Sequence, residues 1–261
     1  MIPKTIHYCW FGGNPKPSHV EKCIRSWKRF CPDFEIIEWN ENSFNLAATP
    51  LYVRQAYEAK KWAFVTDYVR LQVVYDHGGI YLDTDVELIK RIDFLLDYHA
   101  FFGFEDGKHV ATGLGFGAEK ETPILQELMD DYNDLVFLNS DGTANTTSCP
   151  RLNTRVFLRH GLKQDDSYQV LEGDIHVLPT KILCPIDYGT GKKKLYKDTV
   201  SIHWFDASWH TLEENTYIRE MKRYWRREER LNKIRIPVKR LIKRIIGEKK
   251  YLWLKSKYRR S

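Results

Sequence analysis

The chain reads Ala63-Phe64-Val65-Thr66-Asp67-Tyr68-Val69-Arg70 and, after seven intervening residues, Gly78-Gly79-Ile80-Tyr81-Leu82-Asp83-Thr84-Asp85; these two segments decide its fold. The first predicts a helix that ends at the glycine pair, because glycine readily adopts the left-handed conformation that closes a helix. The second predicts a buried strand over residues 79–87, because its apolar run is bounded by glycines and acidic residues. A helix followed by a glycine turn and a buried strand is typical of α/β proteins.

The same reading extends along the rest of the chain. Ser18 is the predicted N-cap of a helix over residues 18–30, with Glu21 at the capping-box spacing. Helical structure is predicted over residues 49–75, as two helices after Pro50. Another helix is predicted over residues 123–137. Further strands are predicted at residues 2–10, 34–39, 100–104, 114–118, 170–178 and 200–204. This alternation predicts a largely parallel α/β sheet whose ligands bind beyond the C-terminal ends of the strands.

Asp83 and Asp85 are the first candidate site residues. Residues two apart in a strand share one face, so the two carboxylates would lie side by side and repel each other. A cation between them would relieve that repulsion, and Mg²⁺ or Mn²⁺ suits such oxygen ligands. The alternative is a solvated strand end, since two acidic residues alone are a weak signal.

Asp67 and Arg70 form a second candidate pair. They are three residues apart and share one face of the predicted helix. The pair could be a purely structural ion pair. It could also place a carboxylate for sugar hydroxyls and a guanidinium for a charged donor group.

Together these residues resemble glycosyltransferase family 32, a group that includes bacterial capsule enzymes and yeast mannosyltransferases. The match is dense over residues 63–87 and thinner from Ile2 to the His203–Trp209 segment, so it covers roughly the first 210 residues. The chain is also distantly similar to the glucosyltransferase domain of large clostridial toxins. The resemblance implies a GT-A type, Rossmann-like nucleotide-sugar-binding fold and a reaction that retains the anomeric configuration.

The resemblance also implies roles for individual residues. Asp85 would be the main metal ligand, Asp83 would touch metal and donor, and His203 would be a further ligand. The donor-binding residues would be Asp67 and Arg70 for the sugar, Tyr81 beside the nucleotide, Trp10 stacked on the base, and Ser208 and Trp209 on the diphosphate. Asp206 and His210 are alternatives in the last segment, and a core aromatic is the alternative for Trp10. The glycines Gly12-Gly13 favour the binding role, since they permit close backbone approach to a ligand. No catalytic nucleophile is assigned.

Charge divides the chain into an acidic body and a basic tail. Residues 219–261 contain 18 Lys and Arg against four Asp and Glu, whereas residues 1–218 are net acidic. We therefore expect a catalytic domain over residues 1–218 and a basic helical extension over residues 219–261. From Val238 to Ile246 the apolar positions follow an amphipathic helix. Such a helix could pack on the body or bind nucleic acid, but we favour an anionic membrane surface.

Location and partners follow from these features. The five cysteines include no Cys-x-x-Cys pair, which favours a reducing compartment. The N-terminal sequence lacks a signal-peptide pattern, so we expect a cytoplasmic protein on the inner face of the cell membrane. We expect a UDP-sugar donor carrying a hexose such as galactose or glucose, and a lipid-linked polysaccharide acceptor. The alternatives are a GDP-mannose-dependent enzyme, a protein-glucosylating toxin, and a non-catalytic membrane-binding protein on a transferase scaffold.

Overall fold

A computed structural model describes residues 1–205 of the chain. Met1–Tyr188 and the described residues from Lys193 onward form one compact unit, which contains every residue discussed below, and Gly189–Lys192 belong to a second unit. The predicted boundary at residues 218 and 219, the basic tail, Asp206, Ser208, Trp209 and His210 all lie outside the described residues.

The unit is an α/β sheet with helices on both faces. Its helices are α1 (Ser18–Phe30), α2 (Leu51–Glu58), α3 (Trp62–His77), α4 (Pro123–Asp130), α5 (Cys149–Arg159) and α6 (Thr180–Leu183). Its strands are β1 (Thr5–Cys9), β2 (Glu35–Trp39), β3 (Gly79–Tyr81), β4 (Val86–Leu88), β5 (Ala100–Phe104), β6 (Val110–Ala111), β7 (Phe116–Ala118), β8 (Gln169–Leu171), β9 (Ile175–Leu178) and β10 (Ser201–His203). Within this described part, no helix combines the length and apolar character needed to cross a bilayer.

The main sheet has the order β2-β1-β3-β7-β5-β9-β8, with β6 paired to β5, and β4 pairs with β10 in a separate two-stranded sheet. β1 runs parallel to β2 and β3, and β5 runs parallel to β9, while β6, β7 and β8 pair antiparallel. The predicted α/β class is confirmed. The sheet is parallel in its β2-β1-β3 portion and mixed beyond it.

The strand order reverses at β1. α1 carries the chain from β1 to β2 on one side, and α2 and α3 carry it back to β3 on the other. The C-terminal ends of β1 and β3 therefore meet at a switch point, where α/β sheets leave a crevice for ligands.

The core has two parts, one on each face of the sheet. Alternate residues of β5 separate them, because Phe102 and Phe104 pack with α2 to α5 while Phe101 packs with α1 and α6. β3 divides in the same way, with Tyr81 on the first face and Ile80 on the second. This alternation follows from the two-residue period of a strand.

Several predicted boundaries need correction. Pro17, and not Ser18, is the N-cap of α1, and no side chain caps the helix, so the predicted capping box is wrong. The helix predicted to reach residue 137 ends at Asp130. The strand predicted over residues 170–178 is an antiparallel pair, β8 and β9, because residues 172–174 turn the chain back.

Candidate active site

The turn between β3 and β4 carries the paired acidic residues. The strand predicted over residues 79–87 is wrong, because β3 ends at Tyr81 and β4 starts at Val86. The Val86 backbone N–H donates to the Asp83 carbonyl at 2.9 Å, which closes a β-turn with Thr84 and Asp85 at its centre. The two carboxylates are therefore brought together by a turn, and not by the shared face of a strand.

The turn is fixed from two sides. On one side, Trp27 of α1 donates its indole N–H to the Val86 carbonyl at 2.8 Å. On the other, β10 pairs antiparallel with β4, and the Trp204 N–H donates to the Asp85 carbonyl at 3.1 Å. The pairing places His203 opposite Val86, directly beside the turn.

Asp83, Asp85 and His203 form one cluster. Each offers a potential metal ligand atom, and these atoms all lie within 4.8 Å of one another. His203 Nε2 lies 3.3 Å from an Asp85 carboxylate oxygen. Burial opposes protonation of the ring, but the Asp85 carboxylate and the Cys184 side chain together raise the pKa of His203 well above its usual value.

Arg70 connects Asp83 to α3. Its guanidinium is buried and lies 2.9 Å from Asp67 and 3.3 Å from Asp83. The Thr66 carbonyl accepts from its Nε at 3.0 Å, so the fork is fixed in one orientation. Asp67 and Arg70 therefore share one face of α3, as predicted. The Arg70 guanidinium points at the acidic turn.

Asp83 receives further contacts. The Tyr81 hydroxyl donates to its other carboxylate oxygen at 2.9 Å, and Tyr81 is 1% exposed. This position makes Tyr81 a support for Asp83, and its predicted contact with a nucleotide stays a prediction. Gly113 packs against the same carboxylate, since a Cβ there would lie 2.7 Å from Asp83 Oδ2 and 2.9 Å from Arg70 Nη1.

Trp10 lies at the same edge of the sheet, directly after β1. Its indole N–H donates to the Asn14 carbonyl at 2.7 Å, and its ring is partly buried. The predicted stacking on a base is untested. Gly12 approaches a side chain of the protein, since a Cβ there would lie 2.7 Å from the Trp62 indole.

The acidic residues of the site exceed its cations. Burial raises the pKa of Asp67 to about 6 and also raises the pKa of Asp83, although Arg70 favours the ionised form of both. Glu105, which the sequence reasoning missed, adds a further carboxylate within electrostatic range of Asp67 and His203. Its only sequence signal is an acidic residue directly after the apolar run of β5.

The residues present fit a divalent cation. His203 turns its Nε2 toward the Asp85 carboxylate, 3.3 Å away, so the imidazole presents a ring nitrogen to the cluster. Two carboxylates and an imidazole form a mixed oxygen and nitrogen ligand set, which suits Mn²⁺. A cation would also offset the excess negative charge that burial makes unfavourable.

Comparison with known proteins agrees with this geometry. Residues 17–102, which include Asp67, Arg70 and the acidic turn, match the family described as "Glycosyltransferase sugar-binding region containing DXD motif". These residues are similar to the sugar-binding region of DXD-type glycosyltransferases. The resemblance predicted from the sequence is confirmed over this region.

Two curated relatives match about half of the chain. "Inositol phosphoceramide mannosyltransferase 3" of Schizosaccharomyces pombe is 34% identical over 140 residues, which are 52% of this chain and 38% of the relative. "Uncharacterized glycosyltransferase L373" of Acanthamoeba polyphaga mimivirus is 27% identical over 160 residues, 57% of this chain and 61% of the relative. The chain thus spans less than two thirds of the length of either relative.

Solved structures with weaker similarity include two glycosyltransferases. One is the PaToxG glycosyltransferase, with a TM-score of 0.47 and 17% identity over 60% of this chain and 68% of that chain. The other is a glycosyltransferase involved in glycosylation of the major capsid of PBCV-1, with a TM-score of 0.42 and 13% identity over 82% of this chain and 98% of that chain.

Metal binding by the cluster predicts a stability change that does not require a substrate. Mn²⁺ at a hundred times its dissociation constant should increase the free energy of unfolding by about 2.7 kcal/mol. Asp85→Asn and His203→Gln should lose most of this increase. The gain should shrink as the pH falls, because His203 binds metal only when neutral and its pKa is raised. Thermal unfolding with and without Mn²⁺ measures both effects.

Asp33→Asn is the matched control, because Asp33 forms an exposed ion pair with Arg91 away from the cluster. It should keep the full response to Mn²⁺. An equal Mn²⁺ response in wild type and His203→Gln would show that His203 is not a ligand.

Proposed function

We propose that the chain is a retaining, metal-dependent glycosyltransferase that moves a hexose from a UDP-sugar to a lipid-linked polysaccharide. One observation carries the proposal, the juxtaposition of Asp83, Asp85 and His203 within 4.8 Å at the switch point of the sheet. The ion pairs of Arg70 with Asp67 and Asp83 support it, because they join the cluster to the helix that faces the same crevice.

The chemistry of such a transfer is governed by charge. Breaking the sugar–phosphate bond places negative charge on the nucleoside diphosphate and positive charge on the sugar. Asp83, Asp85 and His203 would hold the cation, which as a Lewis acid stabilises the leaving diphosphate when bound. Fixed groups are effective here, since they need no reorganisation as the charge develops.

The protein's own residues supply orientation. Asp83 is held by Tyr81 and Arg70, so its carboxylate cannot turn away from the crevice. The Asp67 carboxylate is anchored by Arg70 and would accept hydrogen bonds from sugar hydroxyls. In a retaining transfer the acceptor hydroxyl arrives on the face of the leaving phosphate, and that phosphate takes its proton.

A GDP-mannose donor is the second candidate, and one observation favours it. The relative from Schizosaccharomyces pombe is named a mannosyltransferase, and it matches this chain at 34% identity. The cluster itself does not discriminate between the two donors, because it would bind the diphosphate that they share. UDP remains our first choice because the bacterial proteins that the sequence resembles mostly use it.

Donor hydrolysis tests the proposal. Wild-type protein with Mn²⁺ should hydrolyse at least one member of a panel of UDP- and GDP-sugars, since water replaces an absent acceptor. Asp85→Ala should lower the rate about 10³-fold, equivalent to about 4 kcal/mol of transition-state stabilisation. Release of nucleoside diphosphate, followed by chromatography, measures the rate.

Asp33→Asn again serves as the control and should keep the wild-type rate. If wild type neither hydrolyses nor binds any donor of the panel, the chain is a non-catalytic protein on a transferase scaffold. That result would overturn the proposal.

We also propose that the basic tail holds the enzyme on the cytoplasmic face of the membrane, close to a lipid-linked acceptor. The support is the charge of residues 219–261, with 18 Lys and Arg against four Asp and Glu. Each basic residue near an anionic surface contributes about 1 kcal/mol of attraction. Deletion of residues 231–261 should therefore weaken binding to anionic vesicles by at least about tenfold in a sedimentation assay.

Neutral phosphatidylcholine vesicles provide the control, because they lack the attracting charge. Unchanged binding of the truncated protein to anionic vesicles would contradict a membrane role for the tail.

A further inference from the structure

A cleft with a volume of about 510 Å³ lies outside the metal cluster and contains none of the residues predicted to bind the donor. Its walls are the first residues of α6, residues 166–168 before β8, and Phe94 and Tyr98 before β5. It lies on the α6 face of the sheet, because its lining residue Leu178 packs in the core on that face. Its volume is in the range of small-molecule binding sites, about 300–1,000 Å³.

Exposed aromatic side chains are concentrated at this cleft. In the part of the chain that the structure describes, four Phe, Tyr or Trp side chains are exposed, and three of them line the cleft. These three are Phe94, Tyr168 and Tyr196, with exposed fractions of 46%, 51% and 41%. Single exposed apolar side chains are normal on a protein surface, whereas a group of them in a concave surface indicates a binding site.

Tyr168 is held in one position although half of it is exposed. Its hydroxyl forms a hydrogen bond with His176 Nδ1 at 2.6 Å, and His176 Nε2 forms another with Asp174 at 3.0 Å. The Tyr98 ring stacks on the same imidazole, with the ring centroids 3.9 Å apart. A ring fixed in this way loses little conformational entropy when a ligand binds, so this wall of the cleft is preorganised.

The polar groups of the cleft carry no net charge. Its lining residues include one carboxylate and one ammonium, those of Asp166 and Lys181. Thr180 donates its backbone N–H and its hydroxyl to the two Asp166 carboxylate oxygens, at 2.7 and 2.8 Å. Each of these oxygens can accept a second hydrogen bond, since a carboxylate oxygen has two lone pairs. Lys181 forms an ion pair with Asp198 at 3.0 Å. The cleft therefore favours an uncharged ligand over a phosphate or a metal ion.

A neutral saccharide matches this combination of rings and polar groups. A sugar ring presents C–H groups on its faces and hydroxyl groups at its edge. The C–H groups pack on the negative face of an aromatic ring, and the hydroxyl groups exchange hydrogen bonds with polar side chains. A lipid chain fits less well, because it would bury Asp166 and Lys181 without offering them a hydrogen bond.

The cleft is connected to the metal cluster through β10. The Lys181 carbonyl accepts from the Thr199 hydroxyl at 2.8 Å, and the Leu183 carbonyl accepts from the Ser201 hydroxyl at 3.0 Å. The chain thus runs beside α6 from the cleft into β10, which ends at His203. Thr199 and His203 are four positions apart, which an extended chain spans in at most about 14 Å. An oligosaccharide is long enough to bridge this distance.

We propose that this cleft binds a neutral saccharide segment of the acceptor glycan, while the end of the glycan that receives the new sugar lies at the metal cluster. The proposal rests on the transferase function proposed above. No bond is formed or broken in the cleft. Its role is to bind the acceptor chain, so the enzyme prefers an oligosaccharide acceptor to a single sugar.

Direct binding tests the proposal without a nucleotide sugar. The full chain is titrated in a calorimeter with neutral oligosaccharides of glucose, galactose and mannose, and in parallel with oligosaccharides that contain uronic acids. At least one neutral oligosaccharide should bind. Phe94→Ala and Tyr168→Ala should each raise its Kd about tenfold, because each variant removes one ring on which a sugar packs.

Two further variants make the result specific. Leu158→Ala removes an apolar side chain that is 45% exposed and lies outside the cleft, and it should keep the wild-type Kd. Tyr168→Phe keeps the ring and should bind the oligosaccharide more tightly than Tyr168→Ala. With the same oligosaccharide as acceptor, Tyr168→Ala should raise the acceptor KM about tenfold and change kcat much less, because the cleft binds substrate and transition state alike.

Three outcomes would overturn the proposal. They are a wild-type protein that binds no neutral oligosaccharide, binding of the oligosaccharides with uronic acids alone, and binding that Phe94→Ala and Tyr168→Ala leave unchanged. Failure of the transferase function would be seen separately. A wild-type protein that binds a neutral oligosaccharide through these rings but hydrolyses no donor would overturn that function and support the cleft as a saccharide site.

Discussion

The β-turn from Asp83 to Val86 is the constraint on which the rest of the site depends. It places two acidic side chains next to each other at a part-buried edge, where Arg70 contacts Asp83 and His203 contacts Asp85. Backbone hydrogen bonds from Val86 and Trp204 hold the turn closed against this repulsion. These contacts come from the surrounding sheet, α1 and β10. The stability of the fold therefore offsets the repulsion between the two carboxylates.

Arg70, on α3, compensates part of the negative charge of these carboxylates. It is bound between Asp67 and Asp83, and its orientation is fixed by the Thr66 carbonyl of its own helix. One guanidinium cannot offset the three aspartates and Glu105, and burial raises the pKa of Asp67 and Asp83 in spite of it. A divalent cation and a cationic reacting centre are the two partners that such an arrangement favours.

The sequence predicted the elements that depend on local patterns. The glycine pair correctly predicted the end of α3, and the helical spacing correctly predicted that Asp67 and Arg70 share one face. The family resemblance pointed to His203, which lies beside Asp83 and Asp85. The strand prediction for residues 79–87 failed because an apolar run does not show where a backbone turn interrupts it. Glu105 was missed because the site residues that affect its charge, Asp67 and His203, are distant from it in sequence.

We propose that the turn and β10 together form a Mn²⁺ site with one imidazole ligand. Pulsed electron paramagnetic resonance of the Mn²⁺-loaded protein tests this directly, since coupling to ¹⁴N identifies a histidine ligand. Wild type should show this coupling, and His203→Gln should lose it while Asp33→Asn keeps it. A Mn²⁺ complex of wild type without nitrogen coupling, or with coupling unchanged in His203→Gln, would contradict the account.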